Sequence, residues 1–415
     1  MFSYRLKQVL FVSLLLSFVL GGILLSQAGF RVEAQGKSDV IPNAFIVVLK
    51  DSVENPQDVA NEMVRTHGLS VEHVYTTALK GYSATIPQAK LDKVKGDSRV
   101  QFVSEDRVVE TFAQIAPTGV NRINAPANTN KGTGIGVAVI DTGIDLLHPD
   151  LKANIVANKS CIVGKRNGND DNGHGSHVAG TIAALNNTTG VVGVAPEAKL
   201  IAVKVLNATG SGSWSSVICG IDWVSANASR YNIKVANMSL GGGGSSDNNC
   251  GNSNNDALHK AICKSTTAGV TYVVAAGNSS ADANSFVPAA YDDSVITVSA
   301  LADSDGLAGG LGVTTSYGAD DTFASFSNYG SVVDLSAPGV SIYSSWKNGS
   351  YNTISGTSMA TPHVAGAAAL YIKSNPGSSW TQVLNGLKSV AEALNSGHTD
   401  PSGLHPESVL QAHSL

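Results

Sequence analysis

From Gly134 onward, the chain repeats short, nearly unbroken apolar runs that alternate with stretches of helical patterning. The runs cover residues 135–140, 200–206, 235–240, 270–276, 295–301 and 332–335. The helical stretches cover residues 177–185, 214–228, 256–268, 358–374 and 380–394. A strand that is apolar along its whole length is buried on both faces. The pattern therefore predicts an α/β fold, in which helices cover both faces of a parallel sheet.

The segment before this region has a different pattern. Residues 42–110 contain strands with alternating apolar positions and two amphipathic helices. The strands are predicted at 44–49, 71–77, 82–86 and 100–103, and the helices at 55–67 and 88–95. This order is typical of a small α+β sandwich. Residues 111–133 lack regular patterning and contain Pro117 and Pro126, which indicates a boundary between two domains.

The first residues have the layout of a secretory signal peptide. Arg5 and Lys7 precede an apolar run over 9–25, and small residues follow it. We predict a signal peptide over 1–34, with cleavage after Ala28 or Ala34 and export of the protein. The run is long for a signal peptide but shorter than the roughly 20 residues of a comfortable membrane span. An uncleaved membrane anchor therefore stays open as an alternative.

Charge and cysteine content narrow the partners and the compartment. The formal net charge is -5, and no Lys/Arg-rich run occurs, which argues against nucleic acid as a partner. The four cysteines are Cys161, Cys219, Cys250 and Cys263, and none forms a CxxC pair that would indicate zinc. Four cysteines allow three pairings. We favour Cys250–Cys263, which flank one local insertion, and thus Cys161–Cys219; free buried thiols are the alternative.

Three distant segments supply the groups of a serine nucleophile site. Asp141 ends the first apolar run, His174 precedes an Ala-rich helix, and Ser358 opens a later helix. The carboxyl ends of parallel strands gather at one edge of a sheet, so these groups are expected to meet there. Ser358 would be the nucleophile, His174 the general base and Asp141 the residue that orients the base. Asn278, after the fourth run, and the Ser358 N–H would stabilise the oxyanion.

Each residue also has an ordinary alternative role. A serine can cap a helix, and aspartate and asparagine are common in turns. His177 forms an H-x-x-H pair with His174, but no glutamate follows in the spacing of a zinc protease, so we interpret it as structural. Pro362 is expected within the first turn of the helix that begins near Ser358, where a missing N–H is tolerated.

Taken together, the motifs resemble a known enzyme family. Asp141-Thr142-Gly143, His174-Gly175-Ser176-His177 and the segment 356–362 resemble the three signatures of the subtilisin-like serine proteases, or subtilases, in the same chain order. The resemblance extends from about 113 to 394 and implies a serine endopeptidase. Ser176 stands where the family usually has threonine. A serine esterase of the α/β-hydrolase kind is excluded, because that group requires G-x-S-x-G and the chain order Ser…Asp…His. A catalytically silent peptide-binding scaffold is the remaining rival.

The resemblance also implies a substrate groove. Two backbone edges would hold an extended peptide between them, and Trp214 would border a pocket for a substrate side chain. Phe286 stands near the expected wall of the primary pocket and would narrow it if the ring points inward. The edges consist of Gly210, Ser211 and Gly212 on one side, and Ser239, Leu240 and Gly241 on the other.

A calcium site is implied in the same way. Oxygen ligands suit Ca²⁺ better than zinc. The segment 169–171 is a second candidate for an ion. The implied ligands of the main site are Gln114, Asp150, Leu185, Asn187, Thr189 and Val191.

The leading unit is similar to the inhibitory prodomains of this family. We therefore predict a prodomain over 35–112 and a peptidase domain over 113–415. Self-cleavage is expected after Phe112, and the product is expected to be a monomer that acts on proteins or peptides. Residues 396–415 show no strong periodicity and are predicted to form a surface extension.

Overall fold

The computed structural model describes residues 40–107 and 114–415. The chain divides into two compact units, 1–111 and 112–415. The predicted signal peptide and the predicted cleavage point after Phe112 lie outside the described residues. None of the helices within the described ranges combines the length and apolar character needed to cross a membrane.

The first unit is an antiparallel sheet with two helices. Across this sheet the second strand of the chain lies at one edge, followed by the third, the first and the fourth. The core of the unit contains Val47, Met63, Tyr82 and Ile86. The Asn55 side chain caps the first helix by accepting a hydrogen bond from the N–H of Gln57. The predicted α+β sandwich is therefore observed. Its elements are β1 (Val40–Leu49), α1 (Pro56–His67), β2 (Ser70–Tyr75), β3 (Gly81–Thr85), α2 (Gln88–Lys95) and β4 (Val100–Arg107).

The second unit is built on an eight-stranded sheet. The strands are β5 (Gly136–Asp141), β6 (Ile155–Ser160), β7 (Lys199–Lys204), β8 (Ile233–Met238), β10 (Thr271–Ala275), β12 (Val295–Ala302), β13 (Thr322–Phe323) and β14 (Leu335–Pro338). Their order in the sheet is β13-β12-β10-β8-β5-β7-β6, with β14 beside β12, and all pairings except β12–β13 are parallel. Two short ribbons complete the strands: β9 (Gly242–Gly243) with β11 (Phe286–Val287), and β15 (Ile342–Ser345) with β16 (Tyr351–Ile354).

Helices cover both faces of this sheet, which confirms the predicted fold class. One apolar core joins the sheet to the helices that begin at His174, Thr357 and Trp380, and a second core joins the opposite face to the helices that begin at Trp214 and Ala257. Every residue of β5 is buried, as its unbroken apolar run predicts. The helices of this unit are α3 (Thr118–Arg122), α4 (His174–Ala183), α5 (Trp214–Asn227), α6 (Ala257–Thr267), α7 (Thr357–Ser374) and α8 (Trp380–Val390).

The last twenty residues differ from the prediction of a surface extension. Leu410 and Ala412 are fully buried, and their N–H groups donate to the carbonyls of Ser336 and Ile123. The segment has no helical or strand periodicity because it forms no helix and pairs with other strands only through isolated bridges. Between residues 408 and 412 its backbone hydrogen bonds go to Ser336, Glu392 and Ile123, which are distant in the sequence.

The cysteines pair as predicted. Cys161 bonds to Cys219, with their Cα atoms 6.0 Å apart, and Cys250 bonds to Cys263, with their Cα atoms 5.7 Å apart. Both bridges lie in the second unit. The first ties the segment after β6 to α5, and the second ties a loop to α6.

Candidate active site

His174 and Asp141 meet at the carboxyl edge of the sheet. Asp141 is the last residue of β5 and is completely buried, whereas His174 is the first residue of α4 and keeps a quarter of its side chain exposed. Their Nδ1 and Oδ1 atoms lie 2.8 Å apart. The same oxygen accepts a hydrogen bond from the N–H of Thr142 at 2.7 Å. The carboxylate is thus held in place to fix the orientation of the imidazole ring.

The surroundings of His174 strengthen it as a base. Burial lowers its pKa, but the charge of Asp141, the hydrogen bond to that carboxylate and the charge of Asp170 outweigh this and raise the pKa above its ordinary value. An imidazole with a raised pKa accepts a proton more readily. The group therefore suits general-base chemistry near neutral pH.

Ser358 forms a reciprocal pair with Ser239. The Ser358 hydroxyl donates to the carbonyl of Ser239 at 3.2 Å, and the Ser239 hydroxyl donates to the carbonyl of Ser358 at 2.8 Å. Within residues 114–415, no hydrogen bond joins Ser358 to His174. Nucleophile and base are often not yet bonded in the absence of substrate, so this geometry does not separate their roles.

Pro362 explains why the carbonyl of Ser358 has no hydrogen-bond partner within its own helix. Pro362 is the sixth residue of α7, not a residue of its first turn as predicted. Because proline has no N–H, the carbonyl four residues earlier receives no helical hydrogen bond. That carbonyl belongs to Ser358 and accepts from Ser239 instead. The irregularity in the helix therefore fixes the backbone of the predicted nucleophile.

The side-chain oxygen of Asn278 is anchored to the residue that precedes Ser358. Its Oδ1 accepts hydrogen bonds from the backbone N–H of Thr357 at 2.8 Å and from the Thr357 hydroxyl at 2.9 Å. With the oxygen committed to these two donors, Nδ2 is left for a ligand. Asn278 and Ser358 line one cavity, which is the arrangement that an oxyanion site requires.

Asn328 is a positioning residue that the sequence analysis missed. It is completely buried, and its Oδ1 accepts from the N–H of Ser279 at 2.9 Å and of Ala281 at 3.2 Å. Its Nδ2 donates to the carbonyl of Ala276 at 2.9 Å. These bonds hold the backbone on both sides of Asn278. No local sequence signal distinguishes Asn328 from a turn asparagine.

Asp170 organises the start of α4. Both of its carboxylate oxygens accept hydrogen bonds from uncharged groups, most of them at the N-terminus of α4, where a negative charge is favourable. Asp171 instead pairs with Lys204 at 2.6 Å and Lys165 at 2.9 Å. Asp170 thus positions the helix of His174 while Asp171 is paired with lysines, and the second ion at 169–171 stays a prediction from the sequence. The donors to Asp170 are Thr142, Asn172, Gly173 and, through both its backbone and its hydroxyl, Ser176.

His177 is structural, as interpreted from the sequence. It is completely buried, and its Nε2 lies 2.9 Å from the carbonyl of Ile342. Burial lowers its pKa to about 4, so the ring stays neutral at physiological pH.

A cleft runs along the predicted substrate edges and reaches His174. Ser358, Asn278 and Phe286 line a second cavity. The two cavities share Leu240, Gly241 and Gly242. Phe286 therefore stands on the wall of the cavity next to the nucleophile, half-buried. The predicted groove residues that line the first cleft are Gly210, Ser211, Gly212, Trp214, Ser239, Leu240 and Gly241.

The predicted calcium ligands lie together in a hydrogen-bonded cluster. Gln114 Nε2 donates to the carbonyls of Leu185 at 2.6 Å and Val191 at 3.1 Å, and its Oε1 accepts from the N–H of Asn187 at 3.0 Å. The N–H of Thr189 donates to Asn187 Oδ1 at 2.7 Å. The carbonyl oxygens of Leu185 and Val191 thus both face the Gln114 amide. Flipping this amide would place Oε1 beside these two carbonyl oxygens.

Asp150 supplies the charge beside this cluster. It is completely buried, and Oδ2 accepts from the N–H of Val191 at 2.9 Å and the Tyr351 hydroxyl at 2.8 Å. Gly190 has φ +69°, and a side chain there would collide with Asp150 and Tyr351. The carboxylate, amides and carbonyls form an all-oxygen set that fits a calcium ion.

Comparisons with known proteins agree with this geometry. Residues 132–402 match the subtilase family, and residues 44–112 match the peptidase inhibitor I9 family. The chain is 42% identical over 325 residues to an alkaline protease of Alkalihalobacillus alcalophilus, covering 78% of this chain and 77% of that protein. It is 38% identical over 387 residues to subtilisin E of Bacillus subtilis (strain 168), covering 91% and 92%.

Two further relatives extend the comparison. An extracellular serine proteinase of Thermus sp. (strain Rt41A) is 41% identical over 367 residues, which cover 84% of this chain and 81% of that protein. The crystal structure of a cold adapted subtilisin-like serine proteinase matches with a TM-score of 0.58 and 38% identity, over 72% of this chain and 98% of the other. The chain belongs to the subtilase family and is a serine endopeptidase with an I9-type segment before its peptidase unit.

Proposed function

We propose that this chain is a secreted, self-processing endopeptidase that works through Asp141, His174 and Ser358. The observation that carries the proposal is the 2.8 Å contact between His174 and Asp141 at the end of a cleft that leads to Ser358. An oriented base beside a hydroxyl on a helix N-terminus is the arrangement that acyl transfer requires.

The chemistry uses groups already in place. When a peptide enters, the Ser358 hydroxyl turns from the Ser239 carbonyl toward His174, which takes its proton as Oγ bonds to the peptide carbonyl carbon. The negative oxygen lies between Asn278 Nδ2 and the Ser358 N–H. His174 then gives its proton to the leaving amine as the C–N bond breaks. Water, deprotonated by His174, releases the acyl group and restores Ser358.

Asn278 provides a first test of this mechanism. An Asn278→Ala variant should lose about 10²- to 10³-fold in kcat, the size known for the corresponding asparagine of subtilisin, with little change in KM. The amide acts mainly on the oxyanion, which exists only after attack. Asn375→Ala, an exposed asparagine after α7, is the matched control. A loss confined to KM would assign Asn278 to substrate binding instead.

The groove favours extended peptides with little dependence on sequence. Backbone edges at 210–212 and 239–241 can pair with a peptide as an added strand, and side-chain preference then depends on the pockets. Phe286 takes up space in the cavity next to Ser358. We infer a primary pocket that prefers small or medium side chains in free peptides, whereas cleavage after Phe112 takes place within one chain, where the high effective concentration offsets a weaker fit.

Phe286→Gly should reverse that preference. Removing the ring enlarges the cavity, so kcat/KM for peptides with a large aromatic residue before the cut should rise about tenfold or more relative to peptides with alanine there. The ratio is measured with matched peptide pairs, and Phe286→Leu should give an intermediate value. An unchanged ratio in both variants would show that the ring does not limit the pocket.

We also propose that Gln114, Asp150, Leu185, Asn187, Thr189 and Val191 hold a structural calcium ion. The ion would cross-link the start of the peptidase unit to the loop after α4. Saturating calcium at about 100 times its Kd should stabilise the fold by about 2.7 kcal/mol, which corresponds to a rise in Tm of about 4 °C for a unit of about 300 residues. The Asp150→Asn variant should lose this increment, and Asp222→Asn, which removes an exposed helical carboxylate, should keep it. An equal rise in all three proteins would contradict the assignment.

The remaining parts of the proposal concern maturation. We infer a signal peptide over 1–34, an inhibitory prodomain over 35–112 and a peptidase domain over 113–415. The I9 match over 44–112 and the two disulfides support a zymogen that is exported to an oxidising compartment. N-terminal sequencing of the secreted protein tests the cleavage after Phe112, and a monomer is expected.

A further inference from the structure

A cluster of acidic side chains lies on the loop that follows β12. Asp303, Asp305 and Asp320 each offer a carboxylate oxygen, and these three oxygens lie within 4.8 Å of one another. Two of the residues are buried: Asp303 is 2% exposed and Asp320 is 5% exposed. The cluster belongs neither to the catalytic cleft nor to the proposed calcium site around Asp150.

Asp303 carries an oxygen with no partner. Its Oδ1 accepts a hydrogen bond from the N–H of Gly306 at 3.0 Å. Its Oδ2 is buried and has no hydrogen-bond partner among the residues that the structure describes. A buried polar atom without a partner costs about 1–3 kcal/mol, and more when it is charged. An oxygen of this kind requires either a proton or a cation.

The other two carboxylates are bonded only to neutral groups. Asp320 accepts from the N–H and hydroxyl of Ser304 at 2.7 and 2.9 Å, and from the N–H of Gly312 at 2.8 Å. Asp305 accepts from the N–H of Leu307 at 2.8 Å. These bonds orient the carboxylates but do not balance their charge.

The buried guanidinium of Arg122 is committed to other carboxylates. Arg122 is completely buried and uses its Nε to bind Asp321 at 2.6 Å. Its two terminal nitrogens bind the carboxylate of Glu392 at 3.1 and 2.8 Å. Within residues 114–415, no lysine or arginine forms an ion pair with the three clustered aspartates.

We propose that Asp303, Asp305 and Asp320 bind a calcium ion. Calcium takes oxygen ligands at about 2.3–2.6 Å, so oxygens on opposite sides of one ion lie up to roughly 5 Å apart. The three oxygens lie within 4.8 Å of one another, which is inside that limit. The ion would partner the unsatisfied Asp303 oxygen and neutralise a cluster that no side-chain cation balances. It would also join the two ends of the loop between β12 and β13.

Calcium binding to variants of the full chain tests this site. All proteins carry Ser358→Ala to prevent self-digestion, and titration calorimetry with CaCl₂ gives the number of ions and their affinities. Asp303→Asn and Asp305→Asn should each remove one ion or weaken it about tenfold or more, because fewer carboxylates bind calcium less tightly. Asp222→Asn, an equal loss of charge on the exposed face of α5, should bind as the parent does.

The two calcium sites are separated by a third variant. Asp150→Asn should remove a different ion, so the double variant Asp150→Asn/Asp303→Asn should lose both. Asp305 is exposed, so its substitution tests the site even if Asp303→Asn impairs folding. Asp305→Asn with the same stoichiometry and affinities as Asp222→Asn would overturn the proposal.

Discussion

Replacing Ser358 with alanine should reduce kcat by about 10⁶-fold, the loss known for the nucleophile of subtilisin itself. Without Oγ no acyl-enzyme forms, and the remaining activity comes only from oxyanion stabilisation and binding. The same variant should accumulate as an uncut precursor, because cleavage after Phe112 is proposed to use the chain's own nucleophile. Peptide hydrolysis and the mass of the purified protein are the two measurements.

A matched serine substitution controls for this result. Ser389 lies on the exposed face of α8, and its hydroxyl bonds only to the carbonyl of Gly386. Ser389→Ala should mature and hydrolyse peptides normally. A purified Ser358→Ala protein that still appears at the mature size would contradict self-processing. Retained peptide hydrolysis would contradict the assignment of the nucleophile.

Asp141→Asn should lower kcat by about 10⁴-fold, as in the corresponding variant of another triad protease, because the amide no longer holds His174 in the required tautomer. The pH dependence of kcat/KM should change as well. His174 must be neutral to act as a base, so activity falls as the pH drops through its pKa. In the native protein the Asp141 charge raises that pKa. The acidic limb of the variant should therefore move to lower pH.

The pH dependence of kcat/KM distinguishes loss of the Asp141 charge beside His174 from simple damage to the fold. Asp222→Asn should leave both kcat and the acidic limb in place, since this exposed carboxylate lies on α5 and makes no hydrogen bond within the described residues. If Asp141→Asn lowers kcat but leaves the acidic limb unchanged, the carboxylate does not control the protonation of His174.

Much of the fold could be predicted from the pattern of apolar residues along the chain. The residues of β5, β7, β8, β10 and β12 are apolar almost throughout because helices cover both faces of the sheet, and such runs are visible without coordinates. Asp141 follows from the same reasoning, because it ends β5. β6 (Ile155–Ser160) was missed, since its residues are mostly half-buried and include asparagine, lysine and serine.

The positions of buried polar groups were harder to predict. Asn328 supports the loop of Asn278 from 50 residues away, and Asp303 and Asp320 meet only because the loop between them folds back. Pro362 was placed one turn too early, because its tolerance depends on Ser239, which is distant in sequence. Such contacts depend on tertiary structure and leave no periodic trace in the chain.

The central claim is that Ser358 and His174 act together as nucleophile and base. Labelling the mature enzyme with a fluorophosphonate reagent, followed by mass spectrometry of its peptides, tests it most directly. The account predicts one label per molecule, on Ser358, and a loss of peptide hydrolysis in proportion to the fraction of molecules labelled. A His174→Ala variant, matured by added wild-type enzyme, should show almost no labelling. Labelling at another residue, or full hydrolysis by protein labelled on Ser358, would contradict it.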